Sequence, residues 1–475
     1  MHKILKRTIS VLVLLCLMTG MLFYVSGALI MKRDDGITSM QDYYAQKENT
    51  VDLLIMGSSH AATNVDTEML WSDYGISAYT LWGSRQPAWN TYYFLKEALK
   101  TQKPQLVLMD VFGMLDQDEY EDEARQITNT QGMRMGLNKI QAIQASSPKE
   151  DHIDMILGLP YWHERWKELT ADDFRHYPWS EGLINNKGEL MAYGTWWTAD
   201  LSFTPTEDVT PLSAKQETYL RKIIELCKTE DIPLMLVLTP TSDRQTLEPY
   251  CNAVAAIARE YDVEFVDLNR LDSETGIDPS SFQPDASHLN KSGADLVTTW
   301  LFKHWKETYQ FEDHRSDPAY ASWDIYARNE QNNILSSVWN LETLYKELHT
   351  HDRALLVLQN GTSDSEGYRK TTGELEQYFG IALDQTGDRC VMVQEHTDGS
   401  GNAEVISAGQ DLTDFEISGT AVHVDFASGT LTVNGVKAME KIPEGITIAV
   451  IDLQSQKAVD VMNFTEDGDY TLSRG

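Results

Sequence analysis

Apolar runs alternate with amphipathic stretches over the first two thirds of the chain. "VDLLIMG" (51–57), "ISAYTLW" (76–82), "PQLVLMDVF" (104–112), "IPLMLVLTP" (232–240) and "VEFVDL" (263–268) each read as a buried strand. Helical stretches lie between and after them. "DTEMLWSDYG" (66–75) ends on Gly, and "PAWNTYYFLKEALKT" (87–101) opens on Pro. "SAKQETYLRKIIELCKTE" (213–230), "LEPYCNAVAAIAREYD" (247–262) and "NKSGADLVTTWLFKHWKETY" (290–309) complete the set. Strands apolar on both faces, separated by helices, predict an α/β fold. The expected form is a three-layer α/β/α sandwich around a mostly parallel five-stranded sheet, over residues 50–310. Ligands of such sheets bind at the carboxyl ends of the strands.

Four regions depart from this rhythm. In "MHKILKRTISVLVLLCLMTGMLFYVSGALIMKRDDG", Lys3, Lys6 and Arg7 precede an apolar run from about Ile9 to Met31, with Lys32 and Arg33 after it. That run is long enough to span a bilayer as a helix, so residues 1–35 are expected to form a transmembrane signal anchor with the bulk of the chain outside. "VSGA" (25–28) offers an alternative, a signal-peptide cleavage site. Residues 113–212 interrupt the sheet with an acidic run, "DQDEYEDEAR" (116–125), read as a solvated face. They also carry the aromatic runs "YWHERW" (161–166), "HYPW" (176–179) and "YGTWW" (193–197), read as the core of an insertion or as a lid. Residues 311–334 are polar and read as a linker. From 335 to 475 a helix and a strand are followed by short alternating segments with turn signals, among them "VNGV", which predicts a β-rich second domain.

Hydrophobic content of 42% against 23% charged residues allows packed cores. The formal net charge of −33 disfavours nucleic acid as a partner, and disfavours binding to anionic lipid by charge alone. Four cysteines form no disulfide framework. A Cys227–Cys251 bridge is an option, but both read better as small buried apolar residues.

A catalytic serine needs a base to take its proton and a group to orient that base. The first predicted strand runs into "GSSH" (57–60), and "PDASHLNKSG" (284–293) lies in the loop before the last helix of the sandwich. Asp285 and His288 are three apart, so one turn can bring carboxylate and imidazole together. The loop follows the fifth strand, at the same edge of the sheet as the end of the first.

This pair of motifs resembles the SGNH (GDSL-like) hydrolase superfamily. The resemblance maps the nucleophile to Ser59, in Gly57-Ser58-Ser59, and the remaining partners to Asp285 and His288. It implies oxyanion donors at the backbone of Ser59 and at Gly83, in "TLWGSRQP". The family's Gly-x-Asn-Asp after the third strand is missing; "LVLMDVFG" stands there instead, and an ionised Asp110 cannot donate. Gln86 is a candidate replacement donor or substrate contact, and His60 a candidate substrate contact. The single N-terminal anchor and the degenerate third motif look most like cell-surface acyl-transfer proteins, of the alginate O-acetyltransferase and teichoic-acid D-alanyl transfer type. That resemblance implies an acyl ester on Ser59, a polysaccharide or other glycan acceptor, and a membrane-bound O-acyltransferase (MBOAT) partner, with no cofactor and no metal.

Residues 335–475 are similar to the ILEI/PANDER-like domain, through "LYKELHTHDRALLVLQNGTSD" and "EGITIAVIDLQSQKAVDVMNF". The pattern "HTH" (349–351) is read as solvated surface rather than a metal site. Two other readings stand beside the acyl-transfer one. The first is a catalytically degenerate scaffold that holds glycan in an assembly. The second is a glycosidase with paired carboxylates, for which no spacing singles out two residues.

Overall fold

A computed structural model describes residues 2–30, 35–115, 119–175, 185–197, 199–348, 352–383, 387–397 and 403–474. The runs at 176–179 and 349–351 and the basic pair 32–33 lie outside the described residues. The chain divides into two compact units, Met1–Ala327 and Arg328–Gly475.

The first unit is the α/β sandwich that the apolar runs predict. Its strands are β1 (Leu53–Gly57), β2 (Ala78–Trp82), β3 (Leu106–Asp110), β4 (Leu234–Leu238) and β5 (Glu264–Asp267), in spatial order β2-β1-β3-β4-β5 with every pairing parallel. Successive side chains of a strand face opposite sides, so each central strand feeds two cores. Leu53 and Ile55 pack with Val297, Leu301 and Trp305 of the helix Lys291–Trp305. Leu54 and Met56 pack with Phe94, Ile223 and Val254, from the helices Ala88–Ala98, Ala214–Thr229 and Arg244–Glu260. Strand order reverses between β1 and β3. In an open parallel sheet that switch point leaves a crevice at the carboxyl ends of the strands.

The outer edge of β2 is closed by three separate pieces of chain. The helix α2 (Gly36–Tyr43) supplies Ser39, whose hydroxyl donates to Thr80 O (3.1 Å) and accepts from Trp82 N (3.2 Å). A strap at 185–190 accepts from Thr80 N through Lys187 O (2.8 Å). Trp323 Nε1 donates to Ala78 O (3.2 Å). The last contact explains why residues 311–334 are not the expected linker. Arg315 donates to Ser72 O (2.6 Å), Trp323 and Tyr326 are buried, and a continuous helix runs from Ala321 to Ser337. The unit boundary falls inside that helix, a few residues before the 335 that the composition suggests.

The N-terminal helix α1 (His2–Leu29) is long and apolar enough to cross a membrane. Cys227, Cys251 and Cys390 are buried, and the Cys227–Cys251 bridge is not formed.

The second unit is antiparallel. A six-stranded sheet built on Arg353–Asn360 and Gly445–Asp452 carries the helices Leu341–Glu347 and Glu366–Phe379 on one face. A four-stranded meander (412–439) packs on the other. The "VNGV" hairpin is present, with Asn434 at φ 52° and Gly435 at φ 74°, the left-handed pair of a type I′ turn.

Candidate functional site

β1 ends at Gly57, whose φ of +146° and surroundings both require glycine. A Cβ there would lie 2.8 Å from the Asp110 carbonyl oxygen. The chain then turns into α3 (Ser59–Asn64), capped by the buried Ser58, whose hydroxyl accepts from His60 N (3.4 Å). Ser59 is the first residue of this helix and stands, half-buried, at the crevice.

Ser59 Oγ lies 2.8 Å from His288 Nε2, and His288 Nδ1 lies 2.6 Å from Asp285 Oδ2. An ionised carboxylate only accepts, so the ring proton sits on Nδ1 and Nε2 is free to accept from the serine hydroxyl. The other carboxylate oxygen, Asp285 Oδ1, accepts from the backbone N–H groups of Ser287 (3.0 Å) and His288 (3.1 Å). Burial pushes the Asp285 carboxyl up, but the bonds from the His288 ring and from these two amides outweigh it and hold it below its ordinary value. Ala286 adopts φ +59°, and the loop is pinned by Ser242 N to Ala286 O (3.2 Å) and by Leu289 N to Asn64 Oδ1 (2.9 Å).

His60 is not a substrate contact. It is fully buried and stacked on Phe112, with ring centroids 3.6 Å apart. Burial, reinforced by the neighbouring His288 ring, pushes its pKa well below the ordinary value and keeps it neutral. Asn64 Nδ2 donates to His60 Nδ1 (3.3 Å), so the His60 proton sits on Nε2 and is given to Ser287 Oγ (3.2 Å). Asn64 Nδ2 also donates to Thr239 Oγ1 (2.8 Å), which in turn donates to Asp110 Oδ2 (2.8 Å). A hydrogen-bonded chain therefore runs from the end of β3 through β4 and α3 to the Asp285–His288 loop. None of these long-range partners is visible in the sequence; only the polar character of "SSHAATN" hints at it. Burial pushes the Asp110 carboxyl up to about 6, against the bonds it accepts from Thr239 and Phe112 N.

Two further expectations are corrected. Gly83 is required, since a Cβ there would meet Asn129 Oδ1, but its N–H donates to Gly57 O (3.4 Å) rather than into the crevice. The Gln86 carboxamide is buried and used internally: it accepts from Thr91 Oγ1 (3.0 Å) and donates to Asn129 Oδ1 (3.4 Å). Asn129 also donates to Ser84 O (2.9 Å), so a residue of the insertion holds the 83–86 turn in shape. That turn instead presents Ser84 and Arg85, the latter at φ +42°, to the cavity.

The cavity beside Ser59 and His288 has a volume of about 480 Å³. Phe112, Leu115 and Leu247 give it an apolar wall; Arg85, Arg125 and Asp243 give it charge. Arg125 is paired with Asp122 (2.8 Å) and Glu121 (3.2 Å) of the acidic run. None of the described aromatic residues of 161–166 and 193–197 lines it. Among the described residues no group of three or more His, Cys, Asp or Glu side chains is arranged to hold a metal ion.

No protein-family model matches this sequence. No curated protein matches it either. A solved structure described as a "putative acylhydrolase" from Bacteroides fragilis is similar at 12% identity, over 55% of this chain and 90% of its own, with a TM-score of 0.26.

Proposed function

We propose that the first unit is an SGNH-type serine acyltransferase or esterase, held at the outer face of a membrane by α1. The observation that carries this reading is the chain Ser59 Oγ–His288 Nε2 (2.8 Å) and His288 Nδ1–Asp285 (2.6 Å), opening into a cavity at the switch point of a parallel sheet. In the proposed reaction His288 Nε2 takes the Ser59 proton as Oγ attacks the acyl carbonyl. The tetrahedral intermediate collapses, the donor's alcohol leaves with the proton from His288, and an acyl ester remains on Ser59. A glycan hydroxyl, or water, then gives its proton to His288 as it attacks the ester carbonyl, and the second intermediate collapses with His288 returning that proton to the departing Ser59 Oγ. The Ser59 amide is one donor for the oxyanion; with Gly83 turned to Gly57, the second must come from the 84–85 turn or from the substrate.

Burial of Ser26, Gly27 and Ala28 against the rest of the unit supports an uncleaved anchor, since cutting at 25–28 would strip out packed residues. An acyl donor delivered across the membrane by an MBOAT protein, and a surface polysaccharide as acceptor, fit this arrangement. The second unit would then position the glycan.

The test is covalent labelling by a fluorophosphonate. Wild type should label and Ser59→Ala should not; equal labelling of the two would overturn the assignment. The sparse oxyanion donors favour one second reading, a glycan-holding scaffold with little turnover. Glycan binding that survives Ser59→Ala, without hydrolysis of acetyl esters by wild type, would favour it.

A further inference from the structure

α1 changes character along its length. Residues 4–21 are exposed along an apolar helix, Leu22 and Phe23 are half-buried, and Ser26 to Ile30 are buried. Lys6 and Arg7 mark its outer end, and the apolar stretch 9–25 between them and the buried end is roughly 26 Å long at 1.5 Å per residue, at the short end of what spans a bilayer. The buried end is gripped by the insertion. Ser26 Oγ donates to Leu157 O, and Arg165 donates to Leu29 O (3.0 Å) and Ile30 O (2.6 Å). Phe174 sits 6.3 Å from the Tyr24 ring.

The same elements that grip the helix hold large apolar side chains out to solvent. Ile153, in the helix His152–Leu157, is 69% exposed; Trp166, in the turn His163–Lys167, is 65% exposed; Phe174, in Ala171–Arg175, is 43% exposed. The tip before the helix Leu137–Ser146 adds Met135 and Leu137, the latter 80% exposed. Ile153, Trp166 and Phe174 stand on elements that touch α1 itself, and Leu137 on the helix packed against the first of them; apolar side chains held out beside an apolar helix fit one occupant, the headgroup–acyl boundary of the bilayer that the helix enters. Tryptophan is the side chain enriched at that depth. A chain of net charge −33 gains nothing from anionic lipid, so the contact is apolar in kind.

We propose that Met135, Leu137, Ile153, Trp166 and Phe174 form a membrane-resting surface that seats the first unit directly on the bilayer. This rests on reading α1 as an anchor, and the experiment separates the two. The full chain carrying Cys16→Ser is reconstituted in zwitterionic phosphatidylcholine nanodiscs. An environment-sensitive fluorophore is placed singly at Leu14→Cys, Leu137→Cys, Ile153→Cys or, as a reference, Lys303→Cys; the remaining cysteines are buried. The expected result is quenching by brominated lipid at 14, a blue shift with shallow-lipid quenching at 137 and 153, and neither at 303. Quenching at 14 with 137 and 153 remaining as wet as 303 overturns the surface, leaves the anchor standing, and gives the patch to a protein partner. No quenching at 14 overturns both.

Discussion

At the carboxyl ends of β1, β3 and β4 the first unit gathers Ser59, His60, Asp110 and Thr239, and the Asp285–His288 loop closes over them. The second unit also buries charge, but differently. Arg353 and Asp452 face each other across neighbouring antiparallel strands, with Arg328 donating to the same carboxylate (3.1 Å). Its groove, about 750 Å³ and larger than the cavity beside Ser59, is lined by Asp388, Asp411 and Glu444 with Arg389 already paired to Asp411. Topology accounts for the difference. A parallel sheet sends every strand-to-helix loop to one edge, so residues far apart in sequence converge there. An antiparallel sheet alternates its ends, and its polar pairs fasten neighbouring strands.

The largest effect should come from breaking the convergent set. His288→Ala is expected to lower turnover of a soluble acyl ester by ~10⁴-fold or more, with the melting temperature nearly unchanged. Its counterpart in the second unit should do the reverse. Asp452→Ala leaves Arg353 buried without its partner and is expected to cost about 3–5 kcal/mol of stability, seen as a lower melting temperature, while turnover per folded molecule holds.

A smaller effect is expected at Asn64, which touches no substrate. Asn64→Ala releases Leu289 N and the His60 ring, letting the His288 loop drift; kcat should fall about 10–100-fold with KM unchanged. Normal kcat would mean that the buried chain does not position the base.

The smallest effect is in pH. Asp110 and Asp452 are shifted in opposite directions. Asp110 ionises near 6 when folded and near 3.8 when unfolded, so the folded state holds the extra proton and stability falls as pH rises between those values. Asp452 is held below its ordinary value, because its bonds to Ser455 N and the arginines outweigh burial. Its contribution is present above 3.8 and lost as pH falls further. Melting curves of Asp110→Asn should show a flatter slope between pH 4 and about 6; an unchanged slope would place that titration elsewhere.

The sandwich was legible because Leu53–Met56, Leu106–Met109 and Leu234–Leu238 are apolar on both faces, a pattern that only a sheet covered twice can bury. The Asp285–His288 contact was legible as well, being local. Gly83 and Gln86 were misjudged because which way an amide or carboxamide turns depends on Gly57 and Asn129, the latter from an insertion with no pattern of its own. The segment 311–334 was misjudged because two aromatics, Trp323 and Tyr326, anchor an otherwise polar stretch. His60 has the right chemistry for a site, and only its stacking on Phe112 takes it out of reach.

The closure of β2 has a consequence for the protein's life among copies of itself. An open strand edge offers unpaired amides and carbonyls to any other chain, and sheets grow into aggregates that way. Here Ser39, Lys187 and Trp323 occupy those groups with pieces of the same chain. The strap depends on Gly188, at φ +78°, where a Cβ would collide with the Thr80 carbonyl oxygen. A side chain at 188 would lift the strap and expose a sticky border. Its signature would be loss of soluble protein, with the chemistry of the surviving molecules untouched.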